Sequence, residues 1–174
     1  MKNVKNTRYG DMTGKKHIGS TFNVRNEGIT SLEGSPDVVM GSYVCADNPV
    51  TSLEYSPKEV YGDFHCESTK ITTLEGSPTK VGGSFNCGDN LHLKSFKGCP
   101  TNLVNFDCNG ISDDIDVIKE VIENQIKAQA YYTNDGWIKF RQIEEDFNKY
   151  NISKRVTRAS MRTLLGLDKW KNVL

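Results

Sequence analysis

Residues 60–66 read Val60-Tyr61-Gly62-Asp63-Phe64-His65-Cys66. The same frame stands one unit earlier as Val39-Met40-Gly41-Ser42-Tyr43-Val44-Cys45 and one unit later as Val81-Gly82-Gly83-Ser84-Phe85-Asn86-Cys87. Working outward, Phe22 and Phe106 extend the aromatic column at the same interval, with Val24 and Cys108 two residues beyond them. A fixed period near 20 residues marks one supersecondary unit stacked on copies of itself, so that successive rungs share a continuous core. The aromatic and the Cys are two residues apart, which places both on one side of a short strand.

Each unit carries a second apolar pair, Ile29/Leu32, Val50/Leu53, Ile71/Leu74 and Leu93/Phe96, followed by a turn ending at Pro36, Pro57, Pro78 or Pro100. Ser-Pro and Gly-x-Pro turns bend the chain where the proline cannot donate a backbone hydrogen bond. Every rung therefore has two apolar contacts and two bends.

Over residues 16–112 the pattern resembles a leucine-rich repeat, particularly the short bacterial kind with a proline-containing back side. Tyr43, Cys45, Asn48 and Val50 fall on the L-x-L-x-x-N-x-L half of that motif, as do Phe85, Cys87 and Asn90, and Leu103-Val104-Asn105-Phe106-Asp107-Cys108 has its L-x-x-L-x-L spacing. The earlier rungs carry one extra residue before the aromatic, and the Asn position is Glu27 in the first unit and Thr69 in the third. A patchy Asn column implies a looser, partly irregular spiral. Short Gly-Ser-Pro repeats of this kind are also similar to those of small bacteriophage-encoded proteins, which implies a viral origin.

Composition sets the bounds. At 174 residues with zero formal net charge, 25% charged and 36% hydrophobic, the chain reads as a soluble protein of one domain or two small ones. No apolar run approaches the roughly 20 residues that span a bilayer, and Met1-Lys2-Asn3-Val4-Lys5 lacks the apolar segment of a signal peptide. The expectation is a cytoplasmic protein, in the host cytoplasm if viral, with no membrane partner. Four of the five cysteines repeat on equivalent rungs and none forms a C-x-x-C pair, so they read as small apolar side chains in a buried ladder rather than metal ligands. Cys99, in the Gly98-Cys99-Pro100 turn, is the expected exposed thiol.

After Ile111 glycine becomes scarce and helix formers dominate. Ser112 with Asp113, Asp114 and Asp116 reads as a helix cap followed by acids in the first turn. Ile115, Ile118, Val121, Ile122, Gln125, Ile126 and Gln129 then predict a helix to about Tyr132. Asn134-Asp135-Gly136 breaks it; a second helix is expected from Trp137 through Phe147, and a third from Val156 to Leu165. The expected organisation is an N-terminal lead-in at 1–15, the solenoid at 16–112 and a helical cap at 113–174. The fold class is α+β: a short leucine-rich-repeat-like β-solenoid with 21-residue repeats, capped by a C-terminal three-helix unit that covers its open end.

No catalytic or cofactor motif is present: no G-x-S-x-G, no H-E-x-x-H and no phosphate loop. His65 sits beside Asp63 with Glu67 two residues on, the one place where a histidine has carboxylate company, yet an exposed polar residue is also the ordinary choice on a repeat surface. The outward strand positions form three columns: Thr21, Ser42, Asp63, Ser84, Asn105; Asn23, Val44, His65, Asn86, Asp107; and Arg25, Ala46, Glu67, Gly88, Asn109. A non-enzymatic protein-binding face centred on Val44, Asp63, His65, Glu67, Asn86 and Asp107 is the first expectation, its acidic character suited to a basic partner. With the phage resemblance, the partner is expected to be a host factor, inhibited by steric occlusion. The alternative is a nucleic-acid-binding regulator that uses the basic C-terminal helices through Lys154, Arg155, Arg158 and Arg162. The sequence does not fix the oligomeric state.

Overall fold

The computed structural model describes residues 1–112, 115, 117–128, 130–133 and 136–139. Within them the repeats coil into a β-solenoid with two parallel stacks of short strands. The smaller sheet holds β1 (Lys16–His17), β3 (Val38–Val39), β5 (Glu59–Val60) and β7 (Lys80–Val81) in that order. The larger sheet begins with β2 (Thr21–Asn23), β4 (Ser42–Val44), β6 (Phe64–His65), β8 (Phe85–Asn86) and β9 (Asn105–Asp107). A leucine-rich repeat lines a horseshoe with one strand and a helix or 3₁₀ turn per unit; here each of the first four rungs adds a strand to both sheets. Between the two strands of a rung the chain turns a corner at Gly41, Gly62 or Gly83. At Gly41 a Cβ would lie 1.7 Å from the Ser20 carbonyl oxygen, so only glycine lets the rungs approach there.

Register follows the sequence period. Phe22 pairs with Tyr43, Tyr43 with Phe64, Phe64 with Phe85 and Phe85 with Phe106. The first three ring pairs stack at centroid separations of 5.5, 5.6 and 5.1 Å and Phe85 meets Phe106 tilted at 6.1 Å, all fully buried. The second apolar pairs and the Val39, Val60 and Val81 column complete one continuous core. Cys45, Cys66, Cys87 and Cys108 lie inside it as the sequence implies. Cys99 is a correction: only 7% exposed, it belongs to the same core rather than to the surface. Burial pushes the Cys66, Cys87 and Cys99 thiols above their ordinary range, which keeps them protonated and unreactive.

The spiral is also more regular than the patchy Asn column implied. Asn48 Nδ2 donates to the carbonyls of Val24, Cys45 and Ala46 at 2.8, 2.9 and 3.0 Å, and its Oδ1 accepts from Ile29 N at 3.1 Å. Asn90 serves two rungs likewise, donating to the Cys66 and Cys87 carbonyls and accepting from Thr69 N. Thr69, which stands at the Asn position of the intervening rung, is reached by Asn90: its Oγ1 is 2.7 Å from Asn90 Oδ1 and 3.2 Å from the Cys66 carbonyl.

The three-helix cap is overturned. Among the described residues the α-helix is α1, Val117–Glu123, and the chain beyond it returns to strand. β10 (Ala130–Thr133) pairs in parallel with β9, and β11 (Gly136–Lys139) folds back antiparallel on β10. The apolar stripe expected to stay helical to Tyr132 thus ends on strand residues, and the start of the expected second helix at Trp137 lies in β11. The remainder of that helix and all of the third lie outside the described residues. α1 does dock on the end of the solenoid: Glu120 Oε2 accepts hydrogen bonds from Phe96 N at 2.7 Å and Ser95 Oγ at 2.9 Å. Buried Tyr131 then lays its ring edge-on to Phe106 at 6.4 Å.

At the other end, the lead-in is part of the fold. Val4 is fully buried and its amide donates to the Glu33 carbonyl at 3.0 Å, while Met12 N reaches the Gly34 carbonyl at 2.9 Å. Tyr9 stacks on Phe22 at 3.9 Å, and its hydroxyl accepts from Asn23 N at 3.0 Å. That hydroxyl occupies an edge amide of β2 which would otherwise be open to pairing with another chain.

Candidate functional site

The larger sheet turns its non-core side outward, and the strand pairing brings the expected face together. Val44 is opposite His65, His65 opposite Asn86, and Asn86 opposite Asp107. Val44, Asp63, His65, Asn86 and Asp107 are partly exposed. Several of these polar side chains also hold the local backbone. Asn86 Oδ1 accepts from Gly88 N at 2.9 Å, Asp107 Oδ1 from Asn109 N at 3.1 Å, and Asp63 Oδ1 from Ser84 N on the next rung at 2.7 Å. Asn86 and Asp107 fix the exit of their strands as Asx turns do, and Asp63 ties the entry of its strand to the next rung, so part of the polar column has a structural cause.

Glu67 differs from the sequence expectation: it is 9% exposed, folded down against the sheet. Arg25 explains this. Its guanidinium Nε is 2.6 Å from Asp47 Oδ2 and its NH1 is 3.2 Å from Glu67 Oε1. Arg25, Ala46 and Glu67 occupy one column, and the small side chain of buried Ala46 lets the arginine lie across the intervening rung. The other Glu67 oxygen, Oε2, is buried with no hydrogen-bond partner among the described residues, and His65 Nδ1 stands 3.5 Å away at ion-pair distance.

The titration behaviour of the cluster follows from this geometry. The Glu67 carboxylate, and then Asp63, raise His65 above its ordinary value against the opposing effects of partial burial and Arg25. Burial works to raise the Glu67 carboxyl, but His65, its own backbone and Arg25 together hold it below the ordinary value. Asp107 is raised by burial and by the nearby Glu67 and Asp89 charges. The result is a coupled row of charges, Asp47, Arg25, Glu67 and His65, crossing three rungs.

Of this row, sequence reasoning singles out His65 and Glu67 and misses Arg25 and Asp47 as members. The signal was present in the Arg25, Ala46, Glu67 column. The alternative nucleic-acid residues Lys154, Arg155, Arg158 and Arg162 lie outside the described residues. Among the described residues no group of His, Cys, Asp and Glu is arranged to hold a metal ion, and no helix is long and apolar enough to cross a membrane.

Fold and face together define a short parallel β-solenoid with one charged, partly self-paired sheet surface. Compared with protein-family models, curated proteins and solved structures, the chain matches none.

Proposed function

We propose that the outward face of the larger sheet is a protein-binding surface and that the chain acts as a rigid, non-enzymatic binding module. The observation that carries this is the alignment of Val44, His65, Asn86 and Asp107 on consecutive strands, with Asp63 and Glu67 flanking them, on a backbone fixed by stacked core rings. A preorganised face loses little conformational freedom on binding, and its carboxylates favour a basic partner through encounter rate and orientation. On the likeness of its short Gly-Ser-Pro repeats to those of small phage-encoded proteins alone, the proposal extends to an inhibitor that covers a host factor in the host cytoplasm.

Affinity capture with the intact protein from extracts of its own cellular setting, with nuclease treatment, tests this. The reading expects a stoichiometric protein retained by wild type and released by Val44→Arg, which adds bulk and positive charge at a partly exposed position. Retention that survives Val44→Arg removes the face from the proposal. Retention abolished by nuclease supports instead the nucleic-acid alternative at Lys154, Arg155, Arg158 and Arg162.

A further inference from the structure

Glu67 is a buried carboxylate with unequal oxygens. Oε1 has the Arg25 guanidinium at 3.2 Å, whereas among the described residues Oε2 has only His65 Nδ1, at 3.5 Å. A buried charge without compensation is costly. The state of the imidazole therefore decides whether this carboxylate is paired on one side or on both. We propose that His65 and Glu67 form a pH-sensitive latch at the centre of the face, closed when His65 is charged and released when it is neutral. This deepens the binding reading above and rests on it for its biological use, although the latch itself is a property of the free protein.

The surroundings of His65 are few. On its own rung stand Asp63 and Glu67. On β4 its neighbour is the uncharged Val44, and on β8 the uncharged Asn86. Asp107 on β9 interacts with it electrostatically, and Arg25, at the end of β2, opposes its charging. Carboxylates outnumber the one cation here, and His65 is raised above its ordinary value accordingly. For a group raised in the folded state, the extra stability is fully present below its unfolded value and is lost as pH rises through the folded value. Below that range the row Asp47, Arg25, Glu67, His65⁺ is internally neutralised. Above it the same row carries one net negative charge beside the Asp63 and Asp107 carboxyls, so a basic partner meets a more negative surface.

The test uses the full chain without any partner. The His65 ring titration is followed by NMR in wild type and in Glu67→Gln, and melting temperature is recorded from about pH 5 to about pH 8 for wild type and His65→Asn. The latch predicts a lower His65 midpoint in Glu67→Gln. It also predicts a melting-temperature advantage of wild type over His65→Asn that is largest at the acid end and shrinks as pH rises. Identical midpoints, or parallel melting curves for wild type and His65→Asn, overturn it. If Glu67→Gln does not fold, the two melting curves decide alone. Because neither readout involves a binding partner, a working latch in a protein that captures nothing would sink the binding proposal and leave the latch standing.

Discussion

Tyr55 has a positive φ of 69°, a left-handed conformation that its counterparts Gly34, Gly76 and Gly98 adopt at 93°, 88° and 91°. In those rungs glycine also answers a packing demand: at Gly76 a Cβ would come within 2.6 Å of the Glu54 amide nitrogen. Tyr55 therefore bears a conformational cost that its neighbours avoid, while its ring is 55% exposed and contributes little burial. Left-handed backbone costs an L-residue roughly 1–2 kcal/mol, and glycine in the unfolded chain gives some of that back. We expect Tyr55→Gly to raise the urea-unfolding free energy by about 1 kcal/mol. A decrease would mean that the exposed ring makes a contribution larger than the strain. The second left-handed column, Asn26, Asp47, Ser68 and Asp89 followed by Gly110, uses residue types suited to that conformation or small enough for it. Asp47 is held there within reach of Arg25, so a turn requirement also positions one end of the charge row.

At the scale of the element, the rung is legible in the sequence because its period is carried by large side chains: an aromatic, a Cys and an apolar pair leave a pattern that one unit repeats on the next. Less legible is what joins one rung to another through polar groups. Asn48 satisfies three carbonyls, and Asn90 takes over part of the duty of Thr69, a division of labour that no single unit displays. Asn48→Ala should leave the Val24 and Cys45 carbonyls and the Ile29 amide short of partners, while the Ala46 carbonyl keeps the Asn26 amide, and cost about 1–3 kcal/mol in chemical denaturation. A loss below a few tenths would show that neighbouring groups or solvent replace the amide. The C-terminal strands are hard to read from sequence for a different reason. Short apolar runs do not distinguish helix from strand by periodicity alone, and the helical stripe through Ile126 runs on without a break into Ala130-Tyr131-Tyr132-Thr133, where aromatic and β-branched residues precede Asn134-Asp135-Gly136, a hairpin type of sequence. In the site, the Arg25 to Glu67 pairing could have been read from the column, but the burial of Glu67 depends on the reach of Arg25 over Ala46, which is a matter of three dimensions.

The described residues form a row of stacked units whose aromatic column is continued on either side by a ring out of the 21-residue register, Tyr9 on Phe22 and Tyr131 on Phe106. In such a quasi-one-dimensional array each rung is stabilised by its own packing and by its neighbours, so a defect at an end and a defect in the middle should act differently. Phe64 is fully buried between Tyr43 and Phe85. Phe64→Ala should cost about 3–5 kcal/mol and lower hydrogen-exchange protection along the whole stack, because it divides the column. Tyr9→Ala removes one terminal stack, worth about 0.5–1.5 kcal/mol beyond its buried area, and frees the Asn23 amide. Its effect should be confined to the first rung, with earliest exchange at the Val24 and Asn26 amides that donate to the Val44 and Ala46 carbonyls. The Cys66 and Cys87 amides, bonded to the Asn86 and Asp107 carbonyls, should keep their wild-type protection. If Tyr9→Ala instead lowers protection equally from Val24 to Cys87, the rungs unfold as one cooperative unit and the terminal rings are keystones of the whole stack.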